Sequence, residues 1–160
     1  MAKPNLPVTA AIRVLREHGV AFVPHTYDWE PHGGTAHSAA CLGVDEHAVI
    51  KTLVMHDEQA RALVVLMHGD RQVSTKGLAR QLGVKSIEPC SPALADRHSG
   101  YQVGGTSPFG LRRPLPIYVE RSVLALPTIY INGGRRGMLV QLDPEVLVRV
   151  LRAVSVDVAA

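Results

Sequence analysis

The sequence has 160 residues, 46% hydrophobic and 19% charged, a balance that excludes a disordered or fibrous chain and fits one globular domain over residues 1–160. A net charge of +3 leaves an anionic partner open, whereas an aromatic content of 4% argues against the platform of exposed rings on which some nucleic-acid binders stack bases. The longest aliphatic run, Ala62 to Met67, is far short of the roughly 20 residues that cross a bilayer. With no apolar leader at the amino terminus and no CxxC pair, Cys41 and Cys90 read as reduced cytoplasmic thiols, and no membrane partner is expected.

In chain order, Met1 to Leu6 reads as a loose lead-in, and Val8, Ala11, Ile12 and Leu15 fall at helical spacing over Val8 to His18. Val20 to Tyr27 alternates weakly and holds Pro24, which suits an edge strand. Trp29 to Thr35 is a loop, followed by a short helix over about Ala36 to Leu42, closed by Gly43, with Asp45 placed to cap a further turn. Val49 to Met55 and Arg61 to Met67 are apolar strands joined through Asp57 to Ala60. A helix capped by Ser74 or Thr75 runs to Leu82, a short strand covers Val84 to Glu88, and Ser91-Pro92 opens a helix to about His98. Strands at Pro116 to Glu120, Thr128 to Asn132 and Met138 to Leu142 follow, the first two separated by a helical turn over Arg121 to Leu126. The last helix starts at Asp143-Pro144, with Val146, Leu147, Val150 and Leu151 as its apolar stripe. About seven strands and five helices without regular alternation predict an α+β fold with a mixed, largely antiparallel, curved sheet or open barrel and flanking helices.

Two features stand out against this background. Lys51 sits in the strongest strand, on the same face as Val49, Leu53 and Met55, so its ammonium either snorkels to an edge or enters a pocket that supplies a counter-charge. The stretch from Gly100 to Gly110 holds four glycines and Pro108. Gly104, Gly105, Thr106 and Ser107 there offer successive N–H donors and two hydroxyls to a carbonyl, phosphate or ribose, and Pro108 stiffens the exit. A ligand-free turn explains the same composition equally well. A second glycine turn, Gly133 to Gly137, also suits close backbone approach. Between Gly100 and Arg136 five arginines, at 112, 113, 121, 135 and 136, face a single acid, Glu120, so the glycine loop has a basic neighbourhood.

No phosphate loop, dinucleotide fingerprint, nucleophile elbow, HExxH motif or paired-cysteine motif occurs. His32, His37, Cys41 and His47 lie close in sequence but at no standard ligand spacing, so neither metal nor cofactor is expected. Cys41, beside Leu42 on a short helix, reads as buried and inert.

The helix around Thr9-Ala10-Ala11-Ile12, the segments His25-Thr26-Tyr27 and Lys51-Thr52-Leu53, the loop GYQVGGTSPFG over 100–110, and Thr128-Ile129-Tyr130 leading into Gly133 to Gly137 together resemble the YbaK/EbsC family of aminoacyl-tRNA editing domains. The resemblance runs over nearly the whole chain and implies a barrel-like mixed sheet whose pocket takes the 3′-terminal adenosine of a mischarged tRNA with its esterified amino acid. It implies a deacylase acting on Cys-tRNA(Pro) and working beside prolyl-tRNA synthetase. By motif, Lys51 is the residue tied to activity and orients the terminal nucleotide. Tyr27 and Thr52 line the pocket, and Gly104, Gly105, Thr106, Ser107 and Pro108, with Gly133 and Gly134, hold the substrate. In the family's cysteine deacylases the substrate thiol attacks its own ester, so a protonated lysine acts as an electrostatic positioner and no triad is needed. This sequence departs from those members at Gly33-Gly34-Thr35, where they carry an aromatic residue, at Asn132 for serine, and at Leu139 for a small or acidic residue; Trp29 and His32 are candidates for the missing bulk. Editing of Ala-tRNA(Pro) or another small aminoacyl-tRNA, which needs a catalytic water, and non-catalytic binding of adenosine or an RNA end are the alternatives.

Overall fold

A computed structural model describes residues 7–160; the expected lead-in over residues 1–6 lies outside the described residues. The elements follow as α1 (Ala10–Glu17), β1 (Val23–Thr26), α2 (Gly34–Leu42), β2 (Val49–Asp57), β3 (Ala62–His68), α3 (Thr75–Leu82), β4 (Ile87–Pro89), α4 (Pro92–Ser99), β5 (Ile117–Glu120), β6 (Ile129–Asn132), β7 (Met138–Leu142), α5 (Glu145–Arg149) and β8 (Val154–Val156), with 3-10 turns at Glu46–Ala48 and Arg121–Ala125. Local chemistry sets the boundaries. Thr9, Ser74 and Ser91 each accept a main-chain N–H three residues on, at the starts of α1, α3 and α4, and the Asp45 carboxylate caps the first 3-10 turn by accepting from His47.

The strands form one open, mixed sheet in the order β1-β7-β6-β2-β3-β5-β8, with β4 added to β2. Pairings β1–β7, β6–β7, β2–β3 and β2–β4 are antiparallel, whereas β2–β6, β3–β5 and β5–β8 are parallel. The expected class therefore holds, with parallel pairs taking a larger share of the sheet. β1 is an edge strand, as Pro24 required, because proline has no N–H to give to a second partner.

β2 and β3 are largely apolar because both faces of the sheet are covered there. Ile50, Val54, Val64 and Leu66 join Ile12 and Leu15 of α1, Phe109, Ile129, Ile131, Val140 and Leu147 in the larger core. The intervening residues Met55, Leu63, Val65 and Met67 pack with Leu78 and Ala79 of α3, and with Ile87, Val156 and Val158. A smaller cluster of Ala39, Val49 and Leu139 seats α2 beside Tyr27.

Three expectations need correction. β8 falls outside the expected list, since its three residues become a strand only through register with β5. The last helix ends at Arg149 instead of continuing to Leu151, and the chain turns at Arg152 with a positive φ of 54°. Cys41 is exposed, with its Sγ 3.5 Å from His37 Nε2, because α2 turns Ser38 and Ala39 inward.

Candidate active site

The sheet has a gap. β6 accompanies β2 only at Val49 and Ile50, and β4 joins the same edge only from Met55 onward. Between them the edge of β2 is unpaired, and a cleft of about 980 Å³ opens over it. Residues 49 to 55 of β2 form the floor, Cys90, Pro92 and Ala95 one wall, and Trp29, His32, Thr35 and Ser38 another. Val103, Gly104 and Thr106, with Asn132, Arg136 and Leu139, close the rim. The gap explains how Lys51 and Thr52, on opposite faces of a strand, border one cleft.

Lys51 is half-buried and donates from Nζ to the Arg71 carbonyl at 2.5 Å. Burial lowers its pKa from the ordinary value of 10.5, while the carboxylates of Glu46 and Asp70 pull it back upward. Glu46 and Asp70 act on it through space, since Lys51 enters none of the ion pairs among the described residues. Tyr27 lines the cleft, its N–H donating to the Gly137 carbonyl at 3.0 Å and its ring edge-on to His37. Burial is the main cause of its raised pKa. Thr52 lines the cleft as well, with a buried Oγ1 that has no hydrogen-bond partner among the described residues.

Of the glycine-loop residues, Gly104 and Thr106 face the cleft. One of the expected N–H donors and one of the two hydroxyls are committed inside the loop. Gly105 N–H donates to the Gln102 carbonyl at 2.8 Å, and the Thr106 hydroxyl reaches the same oxygen at 3.3 Å. Ser107 and Pro108 are buried behind the rim, with Ser107 Oγ accepting from Phe109 N–H. The glycines serve close packing of one loop on the other. A Cβ on Gly105 would lie 2.7 Å from Arg136 N, main chain that has no room to give. Gly133 and Gly134 lie in the partner turn, where Gly133 N–H donates to Met138 O and Gly134 N–H to Asn132 Oδ1. Asn132 Nδ2 then donates to Gly104 O, joining the two loops.

Trp29 and Arg136 supply a contact that spacing alone did not reveal. The Arg136 guanidinium lies 4.3 Å from the Trp29 ring centroid and donates from Nε to the Val103 carbonyl at 2.9 Å. Trp29 thus lines the cleft beside Gly104 and Arg136, and Gly34, Thr35, Asn132 and Leu139 line the same cleft.

His47, His68 and Asp70 have ligand atoms within 4.8 Å of one another, but they do not make a metal centre. The two imidazoles stack with 3.7 Å between centroids and 8° between planes, and an ion in the plane of one ring lies out of the plane of the other. His68 is further committed to the His47 carbonyl and to Ser122 Oγ, both at 2.7 Å.

The sequence and the fold have clear relatives. The aminoacyl-tRNA editing domain pattern matches residues 30–150, and the chain belongs to this family of editing deacylases. EbsC of Enterococcus faecalis, named for Cys-tRNA(Pro)/Cys-tRNA(Cys) deacylation, is 29% identical over 140 residues, covering 87% of this chain and 85% of EbsC. The proline–tRNA ligase of Lactococcus lactis subsp. lactis is 34% identical over 96 residues, which span 60% of this chain and 15% of the ligase. Among solved structures, the hypothetical protein APE2540 superposes with a TM-score of 0.86 at 26% identity over 95% of this chain and 100% of its own. A protein named for trans-editing with prolyl-tRNA synthetase has the same fold, with a TM-score of 0.79 at 23% identity over 97% and 99% of the two chains.

Proposed function

We propose that the protein is a trans-acting aminoacyl-tRNA deacylase that hydrolyses the ester of mischarged tRNA in the cytoplasm, with Cys-tRNA(Pro) as its principal substrate and prolyl-tRNA synthetase as its working partner. One observation carries the reading: in a chain of the editing family, a half-buried lysine stands over the floor of a cleft of about 980 Å³. Lys51 holds a positive charge where the terminal nucleotide and its ester enter. Tyr27, Thr52, Gly104 and Thr106 shape the pocket, while Gly105, Ser107, Pro108, Gly133 and Gly134 hold its rim in place. When the substrate thiol attacks its own ester, an S–C bond forms to give a thiolactone, the C–O bond to the ribose breaks and the ribose oxygen leaves with the proton. Water later opens the thiolactone, so the protein supplies only a bent geometry and a field favouring the developing oxyanion. The likeness to EbsC supports cysteine as the edited residue, and Trp29 among the lining residues leaves a cleft suited to a short side chain.

The test compares hydrolysis of Cys-tRNA(Pro) and Ala-tRNA(Pro) by the wild type and Lys51→Ala. Loss of the cysteinyl ester alone, with the variant reduced about 10²-fold or more, is the expected result. Hydrolysis of the alanyl ester would move the specificity and require an attacking water. No turnover of either ester removes both assignments.

A further inference from the structure

The gap in the sheet leaves one residue's main chain without partners. Gly69 donates to the Val49 carbonyl and Asp57 N–H donates to the Arg61 carbonyl, both on the β3 side of β2. Cys90 N–H reaches the Val54 carbonyl on the opposite edge. Amide direction alternates along a strand, so odd-numbered residues of β2 address β3 and even-numbered ones the other edge. There Ile50 is served by β6, and Val54 and His56 by β4 and Cys90. Thr52 lies between them. Its N–H and C=O point into the cleft, and neither has a hydrogen-bond partner among the described residues. With its unpartnered Oγ1, that makes three unsatisfied polar groups on one residue. The Oγ1 is buried, and the N–H and C=O face a cleft in which a ligand can complete the pairing that strand main chain nearly always has.

We propose that this gap receives the aminoacyl group of the substrate as though it were one residue of a β-strand. The α-ammonium donates to the Thr52 carbonyl, and the acyl carbonyl oxygen accepts from Thr52 N–H. The substrate class rests on the deacylase reading above; the docking geometry comes from β2. An extended L-residue turns its N–H and C=O to the same side, so an aminoacyl group offers a strand edge the same donor and acceptor, at the same separation, as a residue of an antiparallel partner. An adenine edge also offers a donor beside an acceptor, and with adenine in the gap the alanyl and propionyl compounds below would bind equally. The arrangement divides the work of recognition. Main chain reads what every aminoacyl ester shares, and the walls around Trp29 and Leu139 read the side chain. It also places an N–H donor at the oxygen that gains charge when the carbonyl is attacked.

The test uses the full chain with 3′-alanylamino-3′-deoxyadenosine, whose amide resists hydrolysis, beside the propionyl counterpart that lacks the α-amino group. The alanyl compound is expected to bind about ten-fold or more tightly and to move the Thr52 amide proton downfield in spectra of the ¹⁵N-labelled protein. Equal affinities, a Thr52 amide that stays in place, or failure of both compounds to bind overturns the proposal. Turnover of Cys-tRNA(Pro) is measured alongside. Binding with the stated signature but without hydrolysis removes the deacylase reading and leaves the docking geometry intact.

Discussion

Lys51 concentrates the electrostatics of the cleft in one side chain. Burial disfavours its ammonium, and Glu46 and Asp70 oppose that effect without cancelling it. The sign follows directly: a lowered pKa means that the charge is lost at a lower pH than for a free lysine. Activity that depends on the ammonium should therefore fall on an alkaline limb centred below 10.5, and Asp70→Asn should move that limb further down. A pH profile of kcat/KM, corrected for uncatalysed ester hydrolysis, reads both shifts; a limb that stays put in Asp70→Asn removes the carboxylate from the account. The prominence of Lys51 was legible in the sequence because a charge in an apolar strand is a conflict visible without coordinates. Trp29 was legible only as a candidate. Its position depends on Arg136, more than a hundred residues along the chain, stacking on its ring. The unpaired edge at Thr52 left no trace in the sequence, since where β6 leaves β2 and β4 arrives is decided by packing across the sheet.

At the scale of the element, β8 and the residues after it are held by one buried carboxylate. Glu120 is 2% exposed. One of its oxygens accepts from Val158 N–H at 2.8 Å and Ala159 N–H at 3.2 Å, while the other accepts from Ser122 N–H at 2.9 Å and from the Ser122 hydroxyl. Burial alone would raise its pKa, but the hydrogen bonds from Ser122, Val158 and Ala159 outweigh burial and lower it below 4.5. Its stabilising contribution is thus fully present above the ordinary carboxylate pKa and is lost as pH falls through the depressed folded value. Glu120→Gln turns one acceptor into a donor facing N–H groups. It should cost about 2–3 kcal/mol, lower Tm by roughly 4–12 °C for a chain of this size, and speed hydrogen exchange at the Val158 and Ala159 amides. Unchanged exchange at those amides would show that the register with β5 holds β8 without Glu120. This anchor also explains why β8 escapes a sequence reading. Val154-Ser155-Val156 is too short to show a period, and its partners are Tyr118 to Glu120. α3 and α4, by contrast, carry their own punctuation in Ser74, Ser91-Pro92, Gly83 and Gly100, and their limits were legible to within a residue.

Across the whole molecule, the net charge of +3 matters through its placement. Arg97, Arg112, Arg113, Arg135 and Arg136 enter none of the ion pairs among the described residues, whereas Arg121 lies 3.9 Å from Asp157 and is set apart from them. Arg136 borders the cleft and, with Arg135, also lines a second hollow of about 440 Å³ that includes Gly100 and Tyr101. The Arg112 side chain packs against Gly100, and Arg113 lies 3.4 Å from His98. A cationic rim therefore runs from the mouth of the cleft across the surface, where a polynucleotide whose 3′ end occupies the cleft would pass. Contacts with phosphates release counterions, so they register as salt dependence more than as sequence preference. For binding of an RNA hairpin with a single-stranded 3′ end, replacing Arg135 and Arg136 together by Gln should reduce the slope of log K against log salt by about 1–2, near 0.7 for each single-stranded phosphate released. Fluorescence anisotropy over a series of salt concentrations measures it. A slope unchanged from wild type would assign the rim to solubility alone. A reduced slope with equal weakening for tRNAs of different sequence would mean that this surface attracts any tRNA end without choosing among them, so that selection must come from the aminoacyl group in the cleft or from a protein that delivers the tRNA.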